Sequence, residues 1–198
     1  MAPKQTQRIG IFLALALVMA ATRLHHFDPL PDASWAVFFL GGFWLRGATR
    51  WAFPLLLVLA VLVDYIVITS SGQAFFQHYC VSPAYWMIAP GFLALWMGGQ
   101  WLARHRPALD LRTLGLAVAA VVVSEFVSYL LTNGSFYWMS ASVPQPRSFG
   151  AWMENFGDWY LPYLKTTSIY VAVGAVLHVT VTQLASSLKG SQPHDARQ

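Results

Sequence analysis

Residues 51–69 read WAFPLLLVLAVLVDYIVIT, an apolar run interrupted by one carboxylate, Asp64, and long enough to cross a bilayer as a helix. Such a stretch has few ways to fold in water, and others like it follow along the chain. Charged residues make up 10% of the sequence and hydrophobic ones 57%, whereas soluble domains carry about 25% charge. The expected fold is an all-α integral membrane protein with six transmembrane helices, at about 9–24, 33–45, 51–69, 83–102, 113–132 and 163–185. Together they form a single membrane domain over residues 1–198. Six spans consume nearly the whole length, which excludes a second, soluble domain.

The connections alternate in character. Residues 9–21 resemble a signal peptide with a cleavage-like Met19-Ala20-Ala21, but are read as the start of a short first helix. Within it Ala16 and Ala20 lie four apart and share one helix face. Residues 25–32, HHFDPLPD, form a turn; the second helix is short and carries Gly41-Gly42; Pro54 falls in the first turn of the third. The fourth helix is expected to kink at Pro90-Gly91. Residues 133–162 read as a long outer connection, in which Phe149, Trp152, Phe156 and Trp159 recur at the spacing of a helix lying in the membrane interface.

Charge position sets an expected orientation. Of the 12 basic residues, nine fall on one side: Lys4, Arg8, Arg46, Arg50, Arg104, Arg106, Arg112, Lys189 and Arg197. Three, Arg23, Arg147 and Lys165, fall on the other. That asymmetry places both termini in the cytoplasm and the loops 25–32, 70–82 and 133–162 outside. The net charge of +4 therefore reads as topology rather than as nucleic-acid binding.

The outer loops hold the candidate chemistry. The lone cysteine, Cys80, excludes an internal disulfide and lies in QHYCVSP with His78 two residues before it. Free cysteines are commonly small buried hydrophobes. On an exposed loop, however, a thiolate beside an imidazole suits iron, cobalt, copper or zinc better than calcium or magnesium. The spacing matches no multi-cysteine zinc motif. His25, His26, Asp28, Asp32, Glu154 and Asp158 are expected on the same rim. Asp64 and Glu125 fall in the outer halves of their spans, where an ionisable group is either functional or satisfied by a neighbour such as Tyr65, Ser124 or Ser128. His178 reads as a packed or hydrogen-bonded bundle histidine. No GxxxxGK[ST] motif supports ATP hydrolysis, and neither a Ser-His-Asp order nor HExxH supports a hydrolase.

Three segments carry a likeness to a known family: TRLHHFDPLPDASWAVFFLGGFW after the first helix, HYCVSPAYWM around Cys80, and MENFGDWYLPYLKTTSIY entering the last. With six uneven helices and large outward loops, the chain resembles the substrate-binding S components of energy-coupling-factor (ECF) vitamin transporters, and among them the BtuM family of small cobalamin-uptake proteins. The resemblance implies an S-component-like bundle in a bacterial inner membrane, with an outward cobalamin pocket and Cys80 as axial cobalt ligand. Tyr79, Tyr85, Trp86, Trp138 and Trp152 are the expected platforms for the flat corrin. Asp28, Asp64 and Glu125 are the expected partners of its amides, and His78 an outer neighbour of Cys80. A thiolate on one face of cobalt weakens the ligand on the other, so removal of cyanide (decyanation) is an implied activity. Docking to an ECF-type transmembrane and ATPase module through Ala16 and Ala20, and transport by the chain alone, both remain open. So do two other functions: a membrane haem or metal-binding redox protein built on His25, His26, His78 and Cys80, and an S component for another vitamin.

Overall fold

A computed structural model describes residues 5–24, 31–105 and 110–190. Of these, 86% are helical and none is in a strand. Six α-helices follow in order: α1 (Gln5–Leu24), α2 (Ser34–Trp44), α3 (Thr49–Ser70), α4 (Ile88–Arg104), α5 (Leu111–Met139) and α6 (Phe149–Gly190). Short 3-10 turns occupy Arg46–Ala48, Phe75–Gln77 and Pro83–Met87.

Gln5–Leu24, Arg46–Ser70, Leu111–Met139 and Phe149–Ser187 are long and apolar enough to cross a membrane. Large apolar side chains such as Leu13, Leu17, Val58, Leu62, Val123 and Val176 are exposed on their outer faces. A soluble protein rarely shows apolar surface on this scale, and the pattern is that of a membrane protein.

The short helix α2 lies at the centre. Its 11 residues span only about 17 Å at 1.5 Å per residue, yet Phe38, Phe39 and Val37 are fully enclosed. Glycine allows this. A Cβ on Gly42 would stand 2.0 Å from the Trp96 carbonyl oxygen, and one on Gly99 of α4 would stand 1.9 Å from that of Phe39. The α2 and α4 backbones therefore touch, as small residues permit in membrane bundles. Around this crossing Phe38 stacks on Phe92 at 4.1 Å, and Trp96 meets Phe53 edge-on at 5.6 Å. Trp96 Nε1 and Gln100 Nε2 both donate to Thr49 Oγ1, at 3.1 and 2.6 Å.

α4 packs against α5 through the same device, with Gly91 facing Ser128 and Thr132 and Gly98 facing Ser124. α6 lies outermost and touches α2 and α5. There Gly174 fits beneath Leu40 and Trp44, and Trp44 Nε1 donates to His178 Nδ1 at 3.3 Å, the hydrogen-bonded role expected of that histidine.

Several helix limits differ from those read in the sequence. The segment predicted as helix from residue 83 begins as the 3-10 turn Pro83–Met87, so Pro90 falls in the first turn of α4, where its missing N–H costs nothing and no mid-helix kink results. The long outer connection 133–162 shrinks to residues 140–148. α5 runs on past Asn133 and Gly134 because tertiary bonds hold it: Asn133 Nδ2 donates to Asn155 Oδ1 at 2.9 Å and to the Tyr129 hydroxyl at 3.1 Å, and Trp152 Nε1 donates to Asn133 Oδ1 at 3.0 Å. The helical spacing at 149–159 is real, but that segment continues through Pro162 into α6 instead of lying as a separate helix. At 42 residues, α6 measures about 63 Å, roughly twice a hydrocarbon core of about 30 Å.

Gly99→Ala is expected to destabilise the bundle by about 3 kcal/mol or more, because the added methyl meets backbone that has nowhere to move. Gly115→Ala, with nothing near its Cβ, should be neutral. Thermal unfolding of the two variants in detergent separates these outcomes.

Candidate functional site

The end of the bundle where α1 stops, α2 starts and α3 nears its close is organised by one cation. Arg23 is 8% exposed. Its Nε and one terminal nitrogen donate to the two oxygens of Asp64 at 2.6 and 2.7 Å, a bidentate pair. The other terminal nitrogen donates to Asp32 Oδ2 at 2.7 Å and to Ser34 Oγ at 3.0 Å. Asp32 Oδ1 in turn accepts from the Ser34 backbone N–H and hydroxyl at 2.9 and 2.6 Å, holding the first turn of α2. A charge at this depth is stable only when paired and hydrogen-bonded, and every charged group in the network is.

The cysteine loop is tied to the same network. Gly72, at φ 80°, turns the chain off the end of α3 in the left-handed conformation that glycine adopts without strain. Phe75 then packs with Ile68 and Tyr85, and Val61, Val81 and Ile88 close around them. Tyr85 is only 8% exposed, and its hydroxyl donates to Asp64 Oδ2 at 2.6 Å. It is thus an anchor of the loop rather than an open platform.

Cys80 sits half-buried between these anchors. Burial pushes its thiol above the usual range, the nearby Tyr79 hydroxyl works in the opposite direction, and the Asp64 charge adds to the rise. Tyr79 is 58% exposed, with its ring 4.5 Å from that of His78. His78 turns back on the loop, and its Nδ1 accepts the Cys80 backbone N–H at 3.3 Å. Trp86 is 56% exposed. Tyr163 on α6 completes the neighbourhood, close enough to feel Asp32, Arg23 and Cys80 and with its ring 5.2 Å from Trp35.

The other expected site residues lie elsewhere. Trp138 and Trp152 stand together where α5 ends and α6 begins, 6.3 Å apart. There the Arg147 guanidinium clasps the carbonyls of Trp138, Ser140 and Val143. Glu125 is fully buried between α5 and α6, close to Thr167 but outside hydrogen-bonding geometry. Asp28, His25 and His26 lie outside the described residues. Ala16 and Ala20 are half-buried, and Ala16 packs against the core. No three His, Cys, Asp or Glu side chains converge on a metal position among the described residues.

A groove of about 480 Å³ runs along the outer side of α3, lined by Leu57, Val61, Leu62, Phe75, Phe76 and Trp86. Its exposed lining is wholly apolar and does not include Cys80. It offers nothing to an amide-rimmed ligand and suits a lipid chain. No protein-family model matches the chain, and comparison with curated proteins returns no match.

Arg23 is the organising residue of this end that charge counting alone passes over. The signal was present, since a carboxylate within a span, Asp64, requires a cation nearby. Arg23→Met should cost about 3–5 kcal/mol by leaving two buried carboxylates unpaired, measured by thermal unfolding in detergent, and Arg23→Met/Asp64→Asn should recover part of that loss. Since thiolate is the reactive form, Cys80 should alkylate more slowly at neutral pH than a free cysteine and speed up as pH rises. Tyr79→Phe removes the nearby hydroxyl that favours thiolate and should slow alkylation further at fixed pH.

Proposed function

We propose that this chain is a cobalamin-uptake protein of the bacterial inner membrane. In this reading it crosses six times with both termini in the cytoplasm, the loop around Cys80 faces the periplasm, and Cys80 binds cobalt axially. The observation that carries the proposal is the setting of Cys80. Its thiol is half-accessible, free of any disulfide, and held on a loop fixed by Phe75 and Tyr85 above a buried charge network.

A soft sulfur donor suits cobalt, and a ligand held by a macrocycle needs only one protein donor to complete it. The exposed ring of Tyr79 beside the thiol, with the exposed Trp86 farther along the same segment, offers apolar surface for a flat corrin, while Asp64, Asp32 and Tyr163 supply polar groups for peripheral amides. Glu125 lies deeper along α5, while the Trp138–Trp152 pair stands where α5 ends, one turn beyond Ser135, whose hydroxyl donates to the Ala84 carbonyl of the Cys80 segment. Basic side chains gather at the opposite end, where Arg8 reaches the Gly47 carbonyl and Arg46 that of Ala103, and this clustering supports the proposed orientation. Ala16 is engaged with the core, while Gly10 and Ala14, four apart, are exposed small residues that α1 offers to a coupling module.

Coordination replaces the thiol proton with cobalt and releases that proton to solvent; loss of cyanide from the opposite face is a separate step, in which the departing anion is protonated from solvent. The sign of the pH effect follows. With the Cys80 thiol pushed up by burial, binding releases a proton, and apparent affinity should rise about tenfold per pH unit below the thiol's own titration. Purified protein mixed with cobalamin should show a shifted visible spectrum that Cys80→Ser abolishes. An unshifted spectrum, or a shift that survives the substitution, would overturn the ligand role. A metal-free vitamin bound equally well by wild type and Cys80→Ser would favour an S component of another specificity.

A further inference from the structure

Glu125 has no role in the network at the Cys80 end, yet it is the most completely enclosed carboxyl described. It is 0% exposed, and neither Oε1 nor Oε2 meets a hydrogen-bond donor. Ser128 Oγ, three residues on along α5, is equally without a partner. The groups around it are few. α6 brings Thr167, 2% exposed, and Tyr160, whose hydroxyl donates instead to the Val122 carbonyl at 3.3 Å. Tyr129 lies one turn along the same helix. α4, on the other flank of α5, presents glycines and carries no titratable side chain between Ile88 and Leu102. Lys165 and Asp158 of α6 are exposed, and Arg23 is committed to Asp32 and Asp64.

An unpaired ion in such surroundings is costly, so the carboxyl's charge needs balancing by something taken from outside. A hard metal cation needs six or so oxygen ligands, and no cluster of that kind is present among the described residues. One carboxyl is enough for a proton. We propose that Glu125 is a proton-binding site at the α5–α6 interface, loaded while the two helices are closed as here and unloaded when α6 moves off α5 and water reaches the carboxyl.

The means for such movement lie next to it. Pro162 leaves the Asp158 carbonyl without its helical donor, a natural hinge, and the membrane-length part of α6 is only 6% buried within the chain. Loading and α6 position are then linked, each biasing the other. That this linkage serves uptake rests on the cobalamin reading; the proton site does not.

The test separates the two. Infrared difference spectra of the purified full chain between acid and alkaline pH, taken without corrinoid, should contain the carbonyl stretch of a protonated carboxylic acid. The band should vanish in Glu125→Gln and persist, shifted, in Glu125→Asp. Absence of the band, or its survival in Glu125→Gln, overturns the site. In vesicles of phosphatidylcholine and phosphatidylglycerol, cobalamin uptake should respond to an imposed proton gradient in wild type, not in Glu125→Gln, with the visible spectral shift on binding retained in both. Uptake by Glu125→Gln that still follows the gradient, or uptake that needs sodium rather than choline, overturns the coupling. Wild type that shows the infrared band but binds no cobalamin would sink the cobalamin reading and leave the proton site standing.

Discussion

The bidentate pair between Arg23 and Asp64, extended to Asp32, is the interaction on which the Cys80 end of the molecule depends. It joins the last turn of α1 to the start of α2 and the last third of α3, three elements that otherwise meet mainly through apolar contacts. Formally one cation faces two carboxylates, and the surplus is shared by hydroxyl donors, Ser34 on Asp32 and Tyr85 on Asp64. Through Tyr85 the ion pair also fixes the segment that carries Cys80. Geometry of this kind strengthens as surroundings become less polar, so the network suits a site at the edge of a bilayer. The same enclosure favours the proton-bound form of the thiol.

The rest of the bundle frees that end to be polar by supplying stability elsewhere. Gly42 and Gly99 bring α2 and α4 into backbone contact, Gly91 and Gly98 let α4 seat against the small Ser124, Ser128 and Thr132 side chains of α5, and Trp96, Phe38 and Phe92 fill the space around the α2–α4 crossing. Lipid provides little hydrophobic drive between helices, so close packing and interhelical hydrogen bonds must hold them. α6 is the exception. It leans on α2 and α5 over part of its length and leaves most of its surface outward, which makes it the element with most freedom to move.

Much of the architecture was legible in the sequence because bilayer thickness imposes a length on every apolar run. α2 and α3 fall within two residues of their expected limits. The failures have one cause, which is that local signals were read without their tertiary partners. Asn133-Gly134 looks like a helix stop until Trp152 and Asn155 bond to Asn133 from α6, and Pro162 looks like a helix start although a membrane helix tolerates it inside. At the site, the sequence singled out Cys80 and Asp64 but could not show that Asp64 holds the loop of the other through Tyr85. Arg23 was counted as a topological charge because its two partners, Asp32 and Asp64, lie 9 and 41 residues away. Glu125 was grouped with the outer carboxylates, whereas only the helix packing reveals that it faces Thr167 with nothing to bond it.

The reading turns on one bond, and X-ray absorption at the cobalt edge of the protein–cobalamin complex reports it directly. The account predicts one sulfur neighbour in the first coordination shell of cobalt, replaced by oxygen or nitrogen in Cys80→Ser. A wild-type complex whose cobalt has only nitrogen, oxygen and carbon neighbours would contradict it.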